Sequence, residues 1–140
     1  MKDLDLWIVD DDFEGAYALK RSIERQALPV QMTHFYNGED FLNRAMEESP
    51  QTAPDVVLLD INMPGLNGLK ALQDLHMSAR SMHVPVIIFT TSDAESDMRM
   101  AYSFGANAYV VKPVKIAELD AFAASLTEFW GRFARLESTG

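Results

Sequence analysis

The sequence predicts an α/β fold in which a parallel, doubly wound sheet carries helices on both of its faces. Short apolar runs alternate along the chain with amphipathic stretches, as expected for parallel strands joined by right-handed crossover helices. The runs 56–59 and 85–89 are continuously apolar, which is typical of strands buried on both faces. With 140 residues, 48% of them hydrophobic, the chain is expected to form a single domain around a substantial core.

The first two strand–helix units are predicted from apolar periodicity. Leu4–Val9 forms the first strand, and Phe13–Gln26 forms the first helix, with apolar residues at helical spacing. Val30–Phe35 alternates like a half-buried strand at the edge of the sheet. Asn37 opens the second helix, and the polar segment Glu47–Pro54 forms a loop.

The third and fourth strands are the most apolar. The third covers about 55–59 and is followed directly by Asp60. The segment Met63–Gly68, which contains two glycines, forms a loop. A helix patterned with leucine then leads to the fourth strand, at about 85–89.

The last third of the chain predicts one more strand between two helices. The segment Ser92–Glu95 reads SDAE, a capping-box pattern that places the start of the fourth helix at Ser92. That helix is expected to end near Gly105, where glycine suits a left-handed cap. The fifth strand covers about 107–111, and a long C-terminal helix covers about 116–135.

Composition excludes several kinds of site. The absence of cysteine excludes disulfides, zinc–thiolate sites and cysteine nucleophiles, and it fits a reducing compartment. A formal charge of −9 disfavours nucleic acid as a partner, since phosphate contacts need a basic face. No apolar run is long enough for a signal peptide or a membrane span, so we expect a soluble, cytoplasmic protein without a membrane partner.

Polar residues are concentrated where the predicted strands end. In a doubly wound sheet, ligands bind at the carboxyl edge of the strands, where these residues meet. The residues that follow the first, third, fourth and fifth strands are Asp10 with Asp11, Asp60, Thr90 and Lys112. The second strand contributes the segment His34–Tyr36, which lies to the side of this set. We interpret the three histidines, His34, His76 and His83, as surface or packing residues.

This set of residues has a specific chemistry. Crowded carboxylates repel one another and need a cation, and a ligand set made only of oxygens fits Mg²⁺ best. Lys112 suits a phosphoryl or carboxylate oxygen, and Thr90 can donate to the same oxygen. A metal, a lysine and a hydroxyl around one carboxylate would stabilise an acyl phosphate, and aspartate is a known phosphoryl nucleophile.

Each of these residues alone also has a structural interpretation. Asp12 is expected to be the N-cap of the first helix rather than a ligand, and Asp10 could also be a cap. Asp60 could simply form a turn, Thr90 could simply end a strand, and Lys112 could be solvated. Their joint placement at the ends of four strands favours a functional site.

The segments that carry these residues read WIVDDD, DVVLLDINMPGLNGL, PVIIFTTSD and GANAYVVKP. In this order and spacing, from Leu6 to Leu126, the chain resembles bacterial response-regulator receiver domains. The resemblance implies a flavodoxin-like fold with five strand–helix units and the strand order 2-1-3-4-5. It also implies that residues 1–140 form one receiver domain with no output domain.

The resemblance further implies a phosphoacceptor site with bound Mg²⁺. Asp60 matches the residue that takes a phosphoryl group from the phosphohistidine of a sensor histidine kinase. The metal would be held by three carboxylates and one main-chain carbonyl, those of Asp10, Asp11, Asp60 and Asn62. Asp11 would be a direct ligand, and Asp10 would act partly through water.

The remaining positions of the family pattern concern phosphoryl binding and switching. The matching residues are Thr90, Thr91, Lys112 and Tyr109, of which Tyr109 is the switch aromatic. Pro113 matches a proline that is usually preceded by a cis bond. The chain departs from the pattern at Val114, where many receivers have an aromatic residue.

Within the family, the chain is most similar to small stand-alone regulators that partner with bacterial phytochrome kinases. The segments that carry this likeness are DINMP, TTSDAESD, GANAYVVKPV and a last helix with Phe-Trp. They imply that the partner is a histidine kinase, with a bacteriophytochrome as the candidate.

The length of the last helix predicts a dimer contact. A helix of about 20 residues is about 30 Å long, whereas strands of about five residues span about 17 Å, so the helix is expected to overhang the sheet. Phe129, Trp130 and Phe133 lie on the overhang, and exposed aromatics are typical of interfaces. We therefore predict a homodimer through this helix. The alternative is that these aromatics fold back onto the core of their own domain.

The predicted function is that of a phosphoacceptor that signals by association or by phosphorelay, and not that of an enzyme beyond slow self-dephosphorylation. An aspartyl phosphatase is disfavoured because Asn62 stands where many such hydrolases have a second acid. A nucleotide-binding protein is disfavoured because no glycine-rich phosphate loop follows the strands. The remaining alternative is a pseudo-receiver that acts as an adaptor without phosphorylation.

Overall fold

A computed structural model describes residues 2–78 and 83–134 of the chain. In this part, the strands form one parallel sheet in the order β2-β1-β3-β4-β5, which confirms the predicted fold and strand order. The strands are β1 Leu4–Val9, β2 Val30–Phe35, β3 Val56–Leu59, β4 Val86–Thr90 and β5 Ala108–Val111.

Helices follow the strands in alternation and cover both faces of the sheet. They are α1 Phe13–Arg25, α2 Gly38–Glu47, α3 Gly68–Met77, α4 Glu95–Ser103 and α5 Ile116–Glu128. A π-helical segment, Phe129–Phe133, continues α5. Within residues 2–78 and 83–134, no helix is long and apolar enough to cross a bilayer.

The core consists of two apolar layers, one on each face of the sheet. Alternate residues of β1 and β3 enter opposite layers, as the pleat of a strand requires. Trp7 and Leu59 pack with α2 and α3, whereas Ile8 and Leu58 pack with α1 and α5. Because β3 is buried on both faces, it holds Asp60 at a rigid position at its carboxyl end.

The start of α4 differs from the capping-box prediction. The helix begins at Glu95 with Ala94 as its N-cap residue. The Ser92 hydroxyl instead donates to the Asp97 carboxylate at 2.6 Å and accepts from the Ala94 N–H at 3.3 Å. The predicted start at Ser92 was wrong because this hydroxyl bonds the Ala94 N–H in the loop and the Asp97 side chain in α4, and so does not cap the helix.

The last helix also differs from its prediction, which was a continuous α-helix to residue 135. The α-helix ends at Glu128, and the wider π-helical turns that follow close with a bond from the Ala134 N–H to the Phe129 carbonyl. Residue 135 lies outside the described residues. In this geometry Trp130 packs against the layer under α1 and α5, so the fold-back alternative holds for Trp130.

Candidate functional site

Three carboxylates converge at the carboxyl edge of the sheet. Asp10 and Asp11 follow β1, and Asp60 follows β3, with its N–H bonded to the Val9 carbonyl at 2.9 Å. One carboxylate oxygen of each aspartate lies within 4.8 Å of the other two. Asp10 and Asp60 are only 1% and 5% exposed, whereas Asp11 is exposed. Two of the three charges are therefore held in a desolvated position.

Lys112 is the cation of this site. Its Nζ lies 2.6 Å from Asp10 Oδ2 and 3.1 Å from Asp60 Oδ2. Its backbone N–H donates to the Thr90 carbonyl at 2.7 Å, which ties the end of β5 to β4. The position of the ammonium thus follows from the pairing of the two strands.

The pKa values of Asp10 and Lys112 are both raised. Burial raises the pKa of Asp10 above its ordinary value, although Lys112 and the Asp12 N–H oppose this shift. Burial acts to lower the pKa of Lys112, but its bonds to Asp10 and Asp60 outweigh this effect and raise it. A raised pKa at both Asp10 and Lys112 is expected where two buried carboxylates share one ammonium.

Backbone N–H groups supply the remaining bonds to these carboxylates. The Asp12 N–H donates to Asp10 Oδ1 at 2.9 Å, and the Asn62 N–H donates to Asp60 Oδ1 at 3.0 Å. Asp12 itself caps α1, as expected, because its side chain accepts from the Glu14 N–H. Each buried acid therefore lies in a short turn that fixes its orientation.

A second group of polar residues lies beside Asp60. The Thr90 hydroxyl, which is fully buried, accepts from the Asn62 side-chain amide and from the Ser92 N–H, both at 3.4 Å. The Ser92 carbonyl accepts from the Tyr109 hydroxyl at 2.8 Å. Hydrogen bonds thus connect Thr90 to half-buried Tyr109 through Ser92.

Glycines lie where α3 and α1 meet the site, and Gly68 is the one that close approach requires. A Cβ on Gly68 would lie 2.1 Å from the Asp60 carbonyl oxygen, so α3 can begin beside Asp60 only with glycine at this position. A Cβ on Gly15 would lie 3.5 Å from Asp10 Oδ2 and 3.6 Å from Lys112 Nζ. The start of α1 therefore lies directly against the ion pair.

The donor set fits a hard divalent cation. Each of Asp10, Asp11 and Asp60 can offer one carboxylate oxygen to a common position. Mg²⁺ is bound in proteins through one or two carboxylates together with waters, and an exposed carboxylate such as Asp11 leaves room for those waters. The single ammonium of Lys112 leaves this cluster with a net negative charge that a cation would neutralise.

The structure brings most of the predicted site residues together and separates others from them. Thr91 is exposed next to Thr90, and Phe129 and Phe133 are exposed on the far end of α5. The prediction of a cis bond before Pro113 was wrong: the Lys112–Pro113 bond is trans. Trans is the more stable form of most bonds before proline, by about 0.5–1 kcal/mol.

Sequence reasoning missed one contact of the site. His34 at the end of β2 was interpreted as a surface or packing residue, but its Nε2 lies 2.8 Å from the Asp10 carbonyl oxygen. The parallel register of β1 and β2, which pairs Ile8 with His34, is the feature from which this contact could have been found. The register cannot be obtained from the sequence of one strand alone.

Comparison with known proteins gives a consistent result. A family model described as the response regulator receiver domain matches residues 6–124. The chain is similar to protein PilH of Pseudomonas aeruginosa, with 41% identity over 107 residues that cover 76% of this chain and 84% of PilH.

Two solved structures of regulators are similar over nearly the whole chain. The response regulator RPA3017 in red light signaling of R. palustris is 30% identical with a TM-score of 0.85, covering 97% of this chain and 99% of the other. The bacteriophytochrome response regulator AtBRR is 27% identical with a TM-score of 0.72, covering 98% and 99%.

Proposed function

The chain belongs to the response regulator receiver domain family, and we propose that it accepts a phosphoryl group on Asp60 from the phosphohistidine of a sensor histidine kinase. The observation that supports this role is the arrangement around Asp60. Its carboxylate is desolvated, is bonded to the Lys112 ammonium, and lies within 4.8 Å of two further acids. A carboxylate that only formed a turn would need neither the lysine nor the acids.

In the proposed reaction, an oxygen of Asp60 attacks the phosphorus as the bond between phosphorus and the partner's imidazole nitrogen breaks. The imidazole leaves with the electron pair of that bond, and Asp60 becomes an acyl phosphate. The Asn62 N–H orients the carboxylate through Oδ1, and Lys112 attracts the phosphoryl oxygens. Asp60 needs no general base, because it is used in its ionised form.

The proposed cofactor is Mg²⁺, held by Asp10, Asp11, Asp60 and the main-chain carbonyl of Asn62. It would neutralise charge on the phosphoryl group during transfer. The surplus of carboxylates over cations in the cluster supports this assignment.

The proposed switch starts at Thr90. A phosphoryl group adds close to two negative charges at neutral pH, and we propose that Thr90, Thr91 and Lys112 are the donors that respond to it. Movement of the Thr90 hydroxyl would disturb its bond with the Ser92 N–H, and Ser92 is in turn bonded to Tyr109. The change would thereby reach α4 and β5, a surface that a partner can sense.

The proposed partners follow from the relatives. Similarity to RPA3017 and AtBRR supports a bacteriophytochrome-type histidine kinase. We further propose that the protein acts in the cytoplasm, which its lack of cysteine fits, and that it signals by association or phosphorelay, including a homodimer through the end of α5. The exposed Phe129 and Phe133 support the dimer.

Intact-mass measurement after incubation with acetyl phosphate and Mg²⁺ tests the proposal. We expect a gain of one phosphoryl group in the wild type and in the control variant Asp74→Asn, whose carboxylate is paired with Lys70 on α3. We expect no gain in Asp60→Ala or when the metal is chelated. If neither small donors nor a kinase phosphorylate the wild type, the protein is an adaptor that acts without phosphorylation.

A further inference from the structure

His34 contacts the backbone of the acidic turn, although the proposed reaction gives it no role. It pairs with Ile8 in the β1–β2 register, so its side chain lies on the same face of the sheet as those of Ile8 and Asp10. A carbonyl oxygen only accepts, so the His34 Nε2 carries the proton and donates to the Asp10 carbonyl at 2.8 Å. The ring of Tyr36, with its centroid 4.0 Å away, supports this orientation of the imidazole.

This hydrogen bond acts on the peptide group between Asp10 and Asp11. β2 already binds the Asp10 N–H through the Phe35 carbonyl at 2.9 Å, so Asp10 is held by both of its backbone polar groups. Its carboxylate is occupied by Lys112 and by the Asp12 N–H. Asp11 is exposed, and its direction depends on the rotation of the planar peptide group before it.

We propose that His34 is a positioning residue for the metal site, because it fixes the peptide plane from which the Asp11 carboxylate projects. This inference rests on the proposed function, in which Asp11 binds Mg²⁺. A ligand that is already oriented loses less conformational freedom when the metal binds. Residues that orient metal ligands from behind change metal affinity without touching the metal. By this route the edge strand β2 contributes to a site formed by its neighbours.

The Mg²⁺ dissociation constant of the unphosphorylated protein, measured by calorimetric titration at one pH, tests this role. His34→Leu keeps bulk but has no donor, and we expect it to weaken binding about 3- to 10-fold, as loss of one hydrogen bond does. His34→Gln places an N–H the same number of bonds from Cβ, and we expect binding within about twofold of wild type. His83→Leu, at an exposed histidine elsewhere, is the matched control.

A second measurement needs no metal. The Asp12 N–H is bonded to Asp10 Oδ1, so a loosened turn should exchange this amide hydrogen faster in His34→Leu and not in His34→Gln. If His34→Leu does not fold, His34→Asn replaces it, because its shorter side chain cannot reach the carbonyl.

Three results would overturn the inference. The first is a His34→Leu variant with the Mg²⁺ affinity and the Asp12 amide exchange rate of the wild type. The second is equal weakening by leucine and glutamine, which would show that the ring only packs. The third is a wild-type protein that binds no Mg²⁺, which would refute the metal assignment itself; the exchange measurement separates this failure from that of His34.

Discussion

At the scale of single residues, the carboxyl edge of the sheet carries more carboxylates than cations. Asp10 and Asp60 share one ammonium, and Asp11 adds a further negative charge beside them. Such a cluster lowers the stability of the metal-free protein because like charges are held together. The proposed Mg²⁺ would reduce this repulsion, which is the physical reason to expect a cation at this position.

Replacement of Asp10 by Asn should therefore stabilise the metal-free protein at neutral pH. Burial raises the pKa of Asp10, so the folded chain binds this proton more tightly than the unfolded chain. The ionised group costs stability above the raised pKa, and the cost vanishes as the pH falls to the ordinary value of 3.8. We expect a gain of about 1 kcal/mol, as for one pair of charges about 4 Å apart in water, in urea unfolding with a chelator.

The urea unfolding of Asp10→Asn needs a matched control variant. Asp74→Asn, in an i,i+4 pair with Lys70, should change the free energy of unfolding by less than about 0.5 kcal/mol. With Mg²⁺ present the order should reverse, because the Asn variant lacks a ligand. An Asp10→Asn variant that is less stable than wild type without metal would refute this account of the cluster.

Gly68 is the second residue where a small change should have a large effect. A Cβ at this position would lie 2.1 Å from the Asp60 carbonyl oxygen and 2.8 Å from the Ile61 Cα. We expect Gly68→Ala to destabilise the protein by about 1–3 kcal/mol, as overpacking does, and to slow phosphorylation by displacing Asp60. Unfolding by urea and the phosphorylation rate with acetyl phosphate measure both effects.

Gly131→Ala provides the matched comparison. Its Cβ would meet the Leu4 Cβ at 3.8 Å, which is an ordinary contact, so stability should be unchanged or higher. Equal effects of the two substitutions would show that close approach to Asp60 is not what requires glycine at position 68.

At the scale of elements, strands were easier to predict than the ends of helices. β1 and β2 have the predicted bounds, since acidic residues flank β1 on both sides and Pro29 precedes β2. β4 begins and ends one residue later than predicted, at Val86 and Thr90. The start of α4 differs because of local bonds of the Ser92 side chain, and the last turns of α5 are π-helical where Trp130 packs on the core; apolar periodicity reports neither feature.

In the candidate site, some residues could be placed from the sequence and one contact could not. Asp10, Asp60, Thr90 and Lys112 could be placed from the sequence because each directly ends or follows a strand of the sheet. The contact of His34 with Asp10 could not, because it depends on the relative register of two strands. Residues whose position follows from one element are predictable, and residues that act between elements are not.

Between α1 and α5, a buried polar contact should be important for stability. The Ser22 hydroxyl is fully buried and donates to Asp120 Oδ1 at 2.5 Å, and Arg25 pairs with the same carboxylate. Ser22→Ala should cost about 1 kcal/mol, the usual contribution of one hydrogen bond. Ser103→Ala, at an exposed serine that bonds within α4, is the control in the same thermal unfolding series.

The pH dependence of this contact can be measured in Asp120→Asn. The Ser22 hydroxyl, and after it Arg25, lowers the pKa of Asp120 below its ordinary value of 3.8. Its stabilising effect is therefore complete above 3.8 and is lost as the pH falls through the lowered pKa. The melting temperature of Asp120→Asn should be lower than wild type at neutral pH and should approach it in acid. A difference that persists unchanged in acid would exclude an ionic origin.

At the scale of the whole molecule, α5 runs from the carboxyl ends of the strands to their amino ends. It begins at Ile116, close after Lys112 at the carboxyl edge, and its end packs Trp130 against the layer that contains Leu4, at the start of β1. Phe129 and Phe133 remain 54% and 60% exposed beside this contact. Under the proposed function, α5 would carry a change at Lys112 to these two exposed aromatics.

Association through this surface should be lost when both exposed aromatics are removed. We expect the wild type to sediment as a dimer at micromolar concentration and Phe129→Ser with Phe133→Ser to sediment as a monomer. A symmetric dimer would bury four half-exposed phenylalanines, two from each copy, which contribute at least about 2–4 kcal/mol, so the dimer dissociation constant should rise at least about 30-fold. Met77→Ser is the control, since Met77 is 77% exposed on α3, which covers the other face of the sheet.

The phosphorylated and free forms should both be measured, because phosphorylation of Asp60 could favour or oppose the proposed dimer. A wild type that is monomeric in both forms would exclude this interface at the concentrations used. A double variant that keeps the wild-type assembly would show that the copies meet elsewhere. Dimerisation of the phosphorylated form alone would show that phosphorylation of Asp60 is coupled to association through Phe129 and Phe133. These two sites are separated by the length of α5.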